Sequence, residues 1–310
     1  MPGSRLHAFL LLALANLIWS GNWVAGRALR DAFDPLTLNF WRWLIATAAL
    51  APFALRGLRG KGALIRRHAG ILLLLALSGV AAFHSLVYLG LRTTPAVNAV
   101  LLNSSIPLFM MLCSWIIERE RAAPRQIAGM LLSLAGILVI LSRGEPASLL
   151  QLELHGGDFW ILLGMPIFGI YSVLLKRRPA GLGGLEFLFV ISAMGVLIMA
   201  PMAAALAWQT PPRWPGAAAA SGVVYMALGA SVLAYICWNR GVSVVGANAA
   251  GFTVHLLPAF GALLAVLFLG EAFAGYHAAG IAIILAGVLV ATRPASQLRR
   301  KGDPGRKMAP

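Results

Sequence analysis

Polar side chains recur at helical spacing inside long apolar stretches of this chain. Asn16, Ser20, Trp23 and Arg27 follow one another at intervals of four, three and four residues, with Trp19 and Asn22 beside them. On a helix they form one stripe. His84 and Tyr88 stand one turn apart, with Arg92 a turn further. Asn98 and Ser105 are seven residues apart, and so are Asn248 and His255. Tyr235 with Asn239 forms another one-turn pair, and Tyr171 and Trp160 share an apolar run. Amide, hydroxyl, imidazole and indole groups are suited to binding a ligand by hydrogen bonds and ring contacts. Such a stripe faces either a cavity or a neighbouring helix, and both readings stay open for the first of them. Trp160, near the end of its run, reads as an interfacial anchor.

Bond-breaking chemistry has no comparable support. The sequence contains no P-loop, no HExxH, no Cys/His metal-ligand cluster and no serine nucleophile elbow. Cofactors and bound metals are therefore not expected. Cys113 and Cys237 fall in apolar runs and do not form a disulfide framework. Arg42 sits about two turns, roughly 10 Å, into an apolar run. Its reading as a carboxylate partner is weighed against snorkelling to headgroups or pairing with Asp34, and the second is favoured. Glu120 and Glu271 stand at helix junctions, where a carboxylate is expected to cap the next helix.

Composition dictates the framework that carries these groups. The 310 residues are 60% hydrophobic and 11% charged, with a mean hydropathy of +0.82, too apolar for a soluble fold of this size. About 20 apolar residues cross a bilayer. Ten stretches qualify: 7–27, 36–55, 70–91, 96–117, 126–142, 157–175, 185–207, 217–239, 248–269 and 277–292. The fold class expected is all-α integral membrane. The net charge of +15 could suggest nucleic acid, but it lies in the connections between these runs. Arg56, Arg59, Lys61, Arg66 and Arg67, then Arg119, Arg121 and Arg125, then Lys176, Arg177 and Arg178, then the tail, all fall on one side. That bias predicts both termini in the cytoplasm. The start resembles a signal peptide until about Ala15, yet its apolar run continues to Ala25, so an uncleaved first helix is expected. The basic tail is expected to be disordered.

Residues 78–141 also lie over 229–292 without a gap. Gly90 meets Gly241, Pro107 meets Pro258, and Glu120 meets Glu271. Gly129 meets Gly280, Ala135 meets Ala286, Gly136 meets Gly287 and Leu138 meets Leu289. Arg119, Arg121 and Arg125 have no basic counterparts in 269–276. Copies that disagree in positive charge point to opposite orientation, as five helices per copy requires. Residues 1–143 and 144–293 are thus read as two inverted five-helix repeats, with 294–310 as a cytoplasmic basic tail. Inverted repeats are a mark of carriers.

The ordered set Trp19-Ser20-Gly21-Asn22-Trp23, Arg27, Pro35, Arg42, then Pro107/Pro258, Glu120/Glu271, Gly129/Gly136 and Gly280/Gly287 resembles the ten-helix EamA transporters of the drug/metabolite transporter superfamily, over nearly the whole chain. Ile117-Glu118-Arg119-Glu120 departs from the pattern, lacking the glycine that precedes Glu271. The resemblance implies export of small metabolites, often amino acids, across a bacterial inner membrane, through a central cavity between the halves. The aromatic amino acid exporters are similar.

The cavity is expected between helices 1, 3, 4, 6, 8 and 9, with Trp19, Ser20, Asn22, Trp23, His84, Tyr88, Asn98, Ser105, Tyr171, Tyr235, Asn239, Asn248 and His255 contacting substrate. Pro107, Pro166 and Pro258 are expected to kink their helices. The paired glycines make helices five and ten a structural or dimer-facing pair. No Asp or Glu lies mid-span, and the mid-membrane titratable candidates are His84 and His255, so a facilitator or exchanger running substrate down its gradient is expected, or weak coupling through histidine. Neutral or aromatic amino acids fit best; drug efflux is the alternative, and a lipid-modifying membrane enzyme a distant one. The expected partners are a small-molecule substrate and membrane lipid, not nucleic acid, and a monomer is compatible with every feature above.

Overall fold

In the computed structural model, residues 2–209, 216–269 and 273–293 are described. Among the described residues, ten helices are long and apolar enough to cross a membrane: α1 (Arg5–Ala28), α2 (Pro35–Leu58), α3 (Ala69–Leu91), α4 (Val97–Glu118), α5 (Pro124–Leu141), α6 (Gly156–Arg177), α7 (Gly184–Gln209), α8 (Gly216–Val245), α9 (Ala247–Leu264) and α10 (Gly275–Thr292). Large apolar side chains such as Leu10, Phe53, Leu131, Leu197 and Leu289 point outward. Such a belt is stable only against lipid.

Local chemistry sets the ends. Asp34 caps α2, accepting from the Leu36 and Thr37 amides at 2.9 and 3.3 Å, and Pro35 opens the helix. At α5, Pro124 does the same while the Gln126 side chain returns to the Ala123 amide at 2.8 Å. The α5 cap is therefore not Glu120, whose carboxylate instead pairs with Lys176. Glu271 lies outside the described residues, as does the tail. The helix α8 runs past Asn239, the expected end of the 217–239 span, and ends at Gly246, whose φ of 84° few other residues adopt. Arg240 sits on the last exposed turns, where a long side chain reaches water.

Among the described residues, four spans are interrupted in mid-length. Leu77–Ala82 in α3 and Met226–Leu233 in α8 are π-helical. The fourth span breaks between Ala96–Asn103 and Ile106–Glu118. The ninth breaks at a 3-10 turn, Phe252–His255, before Leu256–Leu269. Pro107 and Pro258 each follow a break, whereas Pro166 stands within a continuous helix. Pro52 and Pro201 also lie inside α2 and α7.

The principal packed pairs are α5 with α10, α2 with α7, α1 with α8, α3 with α6, α4 with α6 and α1 with α9. Exchanging the first five helices for the last five returns the same set. On α5 and α10, Gly129 faces Gly287 and Gly136 faces Gly280, so those helices run antiparallel with backbones in contact. Their buried residues Ile137, Ile284 and Val288 join Ala259 of α9 in a cluster separate from the main core. The main core lies between the other helices.

Candidate functional site

At the centre of the core, aromatic rings from both halves meet. Trp19 of α1 packs edge-on against Phe168 and Tyr235 at 5.6 and 5.7 Å between centroids, and lies 5.2 Å from Trp238. Trp43 meets Tyr235 edge-on at 5.0 Å, and Phe83 lies 4.8 Å from Phe168. His84 sits among them, 4.7 Å from Phe83 and 6.1 Å from Tyr235. Edge-to-face pairs of this kind fix ring orientation.

The π-helical segments explain how the polar ends of these rings are satisfied. A wide turn leaves carbonyls without their usual partners. The Trp19 indole donates to the Ala230 carbonyl at 3.0 Å, and the Tyr235 hydroxyl donates to the Gly79 carbonyl. Asn39 donates to Val80 and Ala81 at 3.1 and 3.2 Å. Gly79 also lets the Tyr171 ring lie on the backbone, since a Cβ there would meet Tyr171 Cγ at 2.9 Å.

A cavity of about 20 Å³ opens in this cluster, lined by Trp19, Asn22, Trp23, Phe83, His84, Val87, Asn103, Ile106, Phe168, Val254 and Leu257. Beyond Trp23 and Leu257, which border both spaces, a vestibule of about 710 Å³ opens toward the end of the bundle where α1 finishes and α5 meets α6. Ser20, Arg27, Arg30, Arg143, Pro258 and Tyr276 are among its walls. The end of α5 and the start of α10 thus take part in the vestibule, beyond their structural contact.

At the opposite, basic end, side chains bridge the helices beside two pockets of about 280 and 340 Å³. Tyr171 donates to Asn239 at 2.8 Å and the Trp238 indole to Ser172 at 3.3 Å. Arg177 pairs with Glu118 at 3.0 Å, Lys176 with Glu120, and Lys61 with Glu186 at 2.6 Å. Each of these three ion pairs joins one half of the chain to the other.

The structure gathers Trp19, Asn22, Trp23 and His84 on the cavity wall, with Tyr88 hydrogen-bonded to Asn22 at 3.2 Å. Tyr171 and Tyr235 do not line the cavity but pack behind Phe168 and Trp19, Asn239 borders a separate pocket beside Arg178 and Arg240, and Ser20 reaches the vestibule while donating to Leu17. Four further expected contacts lie elsewhere. Asn98 holds the start of α6 through Glu153 and Asp158, both at 2.8 Å. Ser105 donates locally to Leu102. Asn248 stands at the basic end beside Glu120 and Gln126. His255 is fully buried between the Ser133 hydroxyl and the Ser104 carbonyl. Both seven-residue spacings cross the breaks in the fourth and ninth spans, so helical periodicity does not carry a face across them.

Arg42 corrects a further expectation. It neither snorkels nor pairs with Asp34, whose carboxylate lies 4.0 Å from Arg92. Its side chain is fully buried, donating to the Ser231 hydroxyl and, at 2.6 Å, to the Tyr88 hydroxyl. Phe83, Asn103 and Phe168 were also missed. Phe168 carries no signal beyond an apolar run, whereas Asn103 in mid-span was visible. Among the described residues no group of three His, Cys, Asp or Glu is placed to hold a metal ion.

The chain is similar to known proteins in sequence and in fold. The EamA-like transporter family matches twice, over residues 6–142 and 155–293. An uncharacterized transporter of Archaeoglobus fulgidus is 29% identical, over 93% of this chain and 98% of its own. A probable terminal-alkyne amino-acid exporter of Streptantibioticus cattleyicolor is 26% identical, over 96% and 97%. The aromatic amino acid exporter YddG of Ancylobacter novellus is 26% identical, over 93% and 98%. A crystal structure at 23% identity has the same fold, with a TM-score of 0.72 over 98% of this chain and all of the other. Together with the ten spans and the cavity at their centre, the paired match places this multi-pass membrane protein in the EamA-like transporter family.

Proposed function

We propose that the chain is a secondary carrier exporting aromatic and other neutral amino acids by alternating access across a bacterial inner membrane, with both termini cytoplasmic. The observation that carries this reading is a ring-lined cavity with a vestibule on one side and a hydrogen-bonded, ion-paired closure on the other. That asymmetry is what one of two alternating states requires. The two named exporter relatives support the substrate class. The excess of basic residues at the closed end supports placing it in the cytoplasm, so this is an outward-facing state. Residues 1–143 and 144–293 act as inverted repeats that rock about the centre. The exchange-invariant packing and the antiparallel α5–α10 contact support this.

The residues that contact substrate are Trp19, Asn22, Trp23 and His84, with Tyr88 behind Asn22; the cavity of about 20 Å³ between them has room for about one water and widens into the vestibule when substrate enters. Among the described residues no carboxylate lines the cavity, which supports uncoupled exchange rather than drive by a proton or sodium ion. Counterflow in proteoliposomes tests the proposal. Vesicles preloaded with unlabelled phenylalanine, tryptophan or methionine should accumulate labelled phenylalanine, chemically unchanged and equally with or without a pH gradient. Exchange of apolar drugs in place of amino acids would favour the efflux reading. Chemical conversion of the substrate would favour an enzyme.

A further inference from the structure

A guanidinium is a permanent cation. Buried in a protein, it needs a counter-ion or a full set of acceptors. Arg42 has neither. Its side chain is fully buried. Nε donates to the Ser231 hydroxyl and Nη1 to the Tyr88 hydroxyl, both neutral, while Nη2 finds no partner. The faces of Trp43 and Tyr88 lie 5.5 and 6.0 Å from its Cζ, which softens the charge without cancelling it. None of the ion pairs among the described residues includes it. The Tyr88 hydroxyl passes the link on by donating to Asn22 Oδ1 at 3.2 Å, and Asn22 lines the cavity.

The way in carries the same sign. Arg27, Arg30 and Arg143 line the vestibule, at the end of the bundle where arginine is otherwise scarce. The acid beside them, Asp31, pairs with Arg30 at 3.4 Å. A zwitterion entering by this path meets cations at the mouth, with Arg42 behind Tyr88 and Asn22 further in. In the cavity its ammonium meets the Asn22 and Asn103 amides, the His84 ring and aromatic side chains, and the vestibule carboxylate Asp31 is already paired with Arg30. Charge and solvation thus favour the anionic end of the substrate, and its ammonium is the weaker determinant.

We propose that Arg42, acting across Tyr88 and Asn22, selects substrates by their carboxylate, and that the amino group is dispensable, so that aromatic monocarboxylates are carried as well. The inference rests on the central cavity being the substrate site. Arg42 is a charge-selecting residue whose own counter-charge is lacking among the described residues. A carboxylate bound beside Asn22 supplies that charge across the Tyr88 hydroxyl.

Counterflow on the full-length protein tests this with two labelled probes, phenylalanine and 3-phenylpropanoate. The unlabelled competitors are 3-phenylpropanoate, which lacks the ammonium, and phenethylamine, which lacks the carboxylate. In the native protein 3-phenylpropanoate should drive exchange nearly as well as phenylalanine, and phenethylamine about 10-fold less well, the loss expected for unit charges roughly 10 Å apart at an effective dielectric of about 20. R42K should keep the acid preference at a reduced rate, and R42Q should lose it.

Equal counterflow by amine and acid would overturn the inference while leaving amino-acid exchange standing. So would an undiminished acid preference in R42Q. Exchange of 3-phenylpropanoate without phenylalanine would support the role of Arg42 and refute the amino-acid reading. Exchange of neither, with transport of an uncharged apolar compound, would overturn both. The competitor ranking in the native protein decides the matter even if the Arg42 variants fail to fold.

Discussion

Replacing Gly136 by alanine tests how closely α5 and α10 must approach. A Cβ at position 136 would sit 2.7 Å from the Gly280 carbonyl oxygen, 2.8 Å from the Ile284 nitrogen and 3.0 Å from the Ile283 Cβ. Two of these are backbone atoms on the facing helix and cannot rotate away. Ordinary contact begins near 3.4 Å, so the helices must separate by about 0.6 Å, enough to forfeit a quarter or more of the dispersion well at each neighbouring contact. Overpacking of this kind costs on the order of 2 kcal/mol, which for a chain of 310 residues lowers the melting temperature by about 3 °C. Cys113 and Cys237 are both free and buried, so a thiol-reactive dye reports unfolding in detergent without an added label. Gly70→Ala is the control, since nothing lies within 4 Å of a Cβ there, and it should be neutral or slightly stabilising. Gly136 and Gly280 face each other. Once the helices have parted for the first alanine, Gly280→Ala should add less than it costs alone. A melting temperature for Gly136→Ala equal to that of the native protein, or strictly additive costs for the pair, would refute the close-packed geometry.

Trp23→Ala removes a wall shared by cavity and vestibule; vesicles carrying it should leak preloaded substrate faster, and an unchanged leak rejects Trp23 as a barrier. Glu118→Gln with Glu120→Gln deletes both α4–α6 ion pairs. These are partly exposed and worth about 0–1 kcal/mol each, so melting should hardly move while exchange accelerates at low salt and loses its dependence on ionic strength; an exchange rate that still rises with salt refutes the latch. His255 is held by Ser133 and Ser104 away from the cavity, so His255→Asn should exchange with the native pH profile, and a flattened profile would assign it a coupling role. His255→Leu, which strands the Ser104 carbonyl, should destabilise by about 1–3 kcal/mol in the same dye assay.

The spans were legible because crossing a bilayer imposes length and apolarity residue by residue. The short fifth and tenth helices appear as expected, at 18 residues each. Faces were legible only where a helix stays regular. The stripe on α1 delivered Trp19, Asn22 and Trp23 to the cavity. The pairs Asn98–Ser105 and Asn248–His255 failed because each spans a break, where a turn of different pitch rotates the remainder of the helix. Arg42 shows another limit. Its depth along α2 comes from counting residues, but its partners Ser231 and Tyr88 come from α8 and α3. Nothing local in the sequence says that α2 turns that face inward.

The wide turns in α3 and α8 also bear on how such a chain could have arisen. Laying one half over the other brings Gly79 onto Ala230, and these are the two carbonyls that receive Tyr235 and Trp19. A π-helical turn amounts to one residue too many for a regular helix, and inserting it swings everything downstream by about 100° around the axis. Two separate insertions, each tolerated and each landing at the matching place, are a poor explanation beside one that was already present when the unit was copied. Under descent from a single unit, the ancestral gene encoded a five-helix protein with this turn in place. Such a protein would have had an odd number of crossings and a bare glycine face on its last helix. It would have needed a second copy of itself, inserted the other way up, to be complete. Gene fusion would then have fixed in one polypeptide an assembly that two oppositely inserted molecules had previously to find by diffusion.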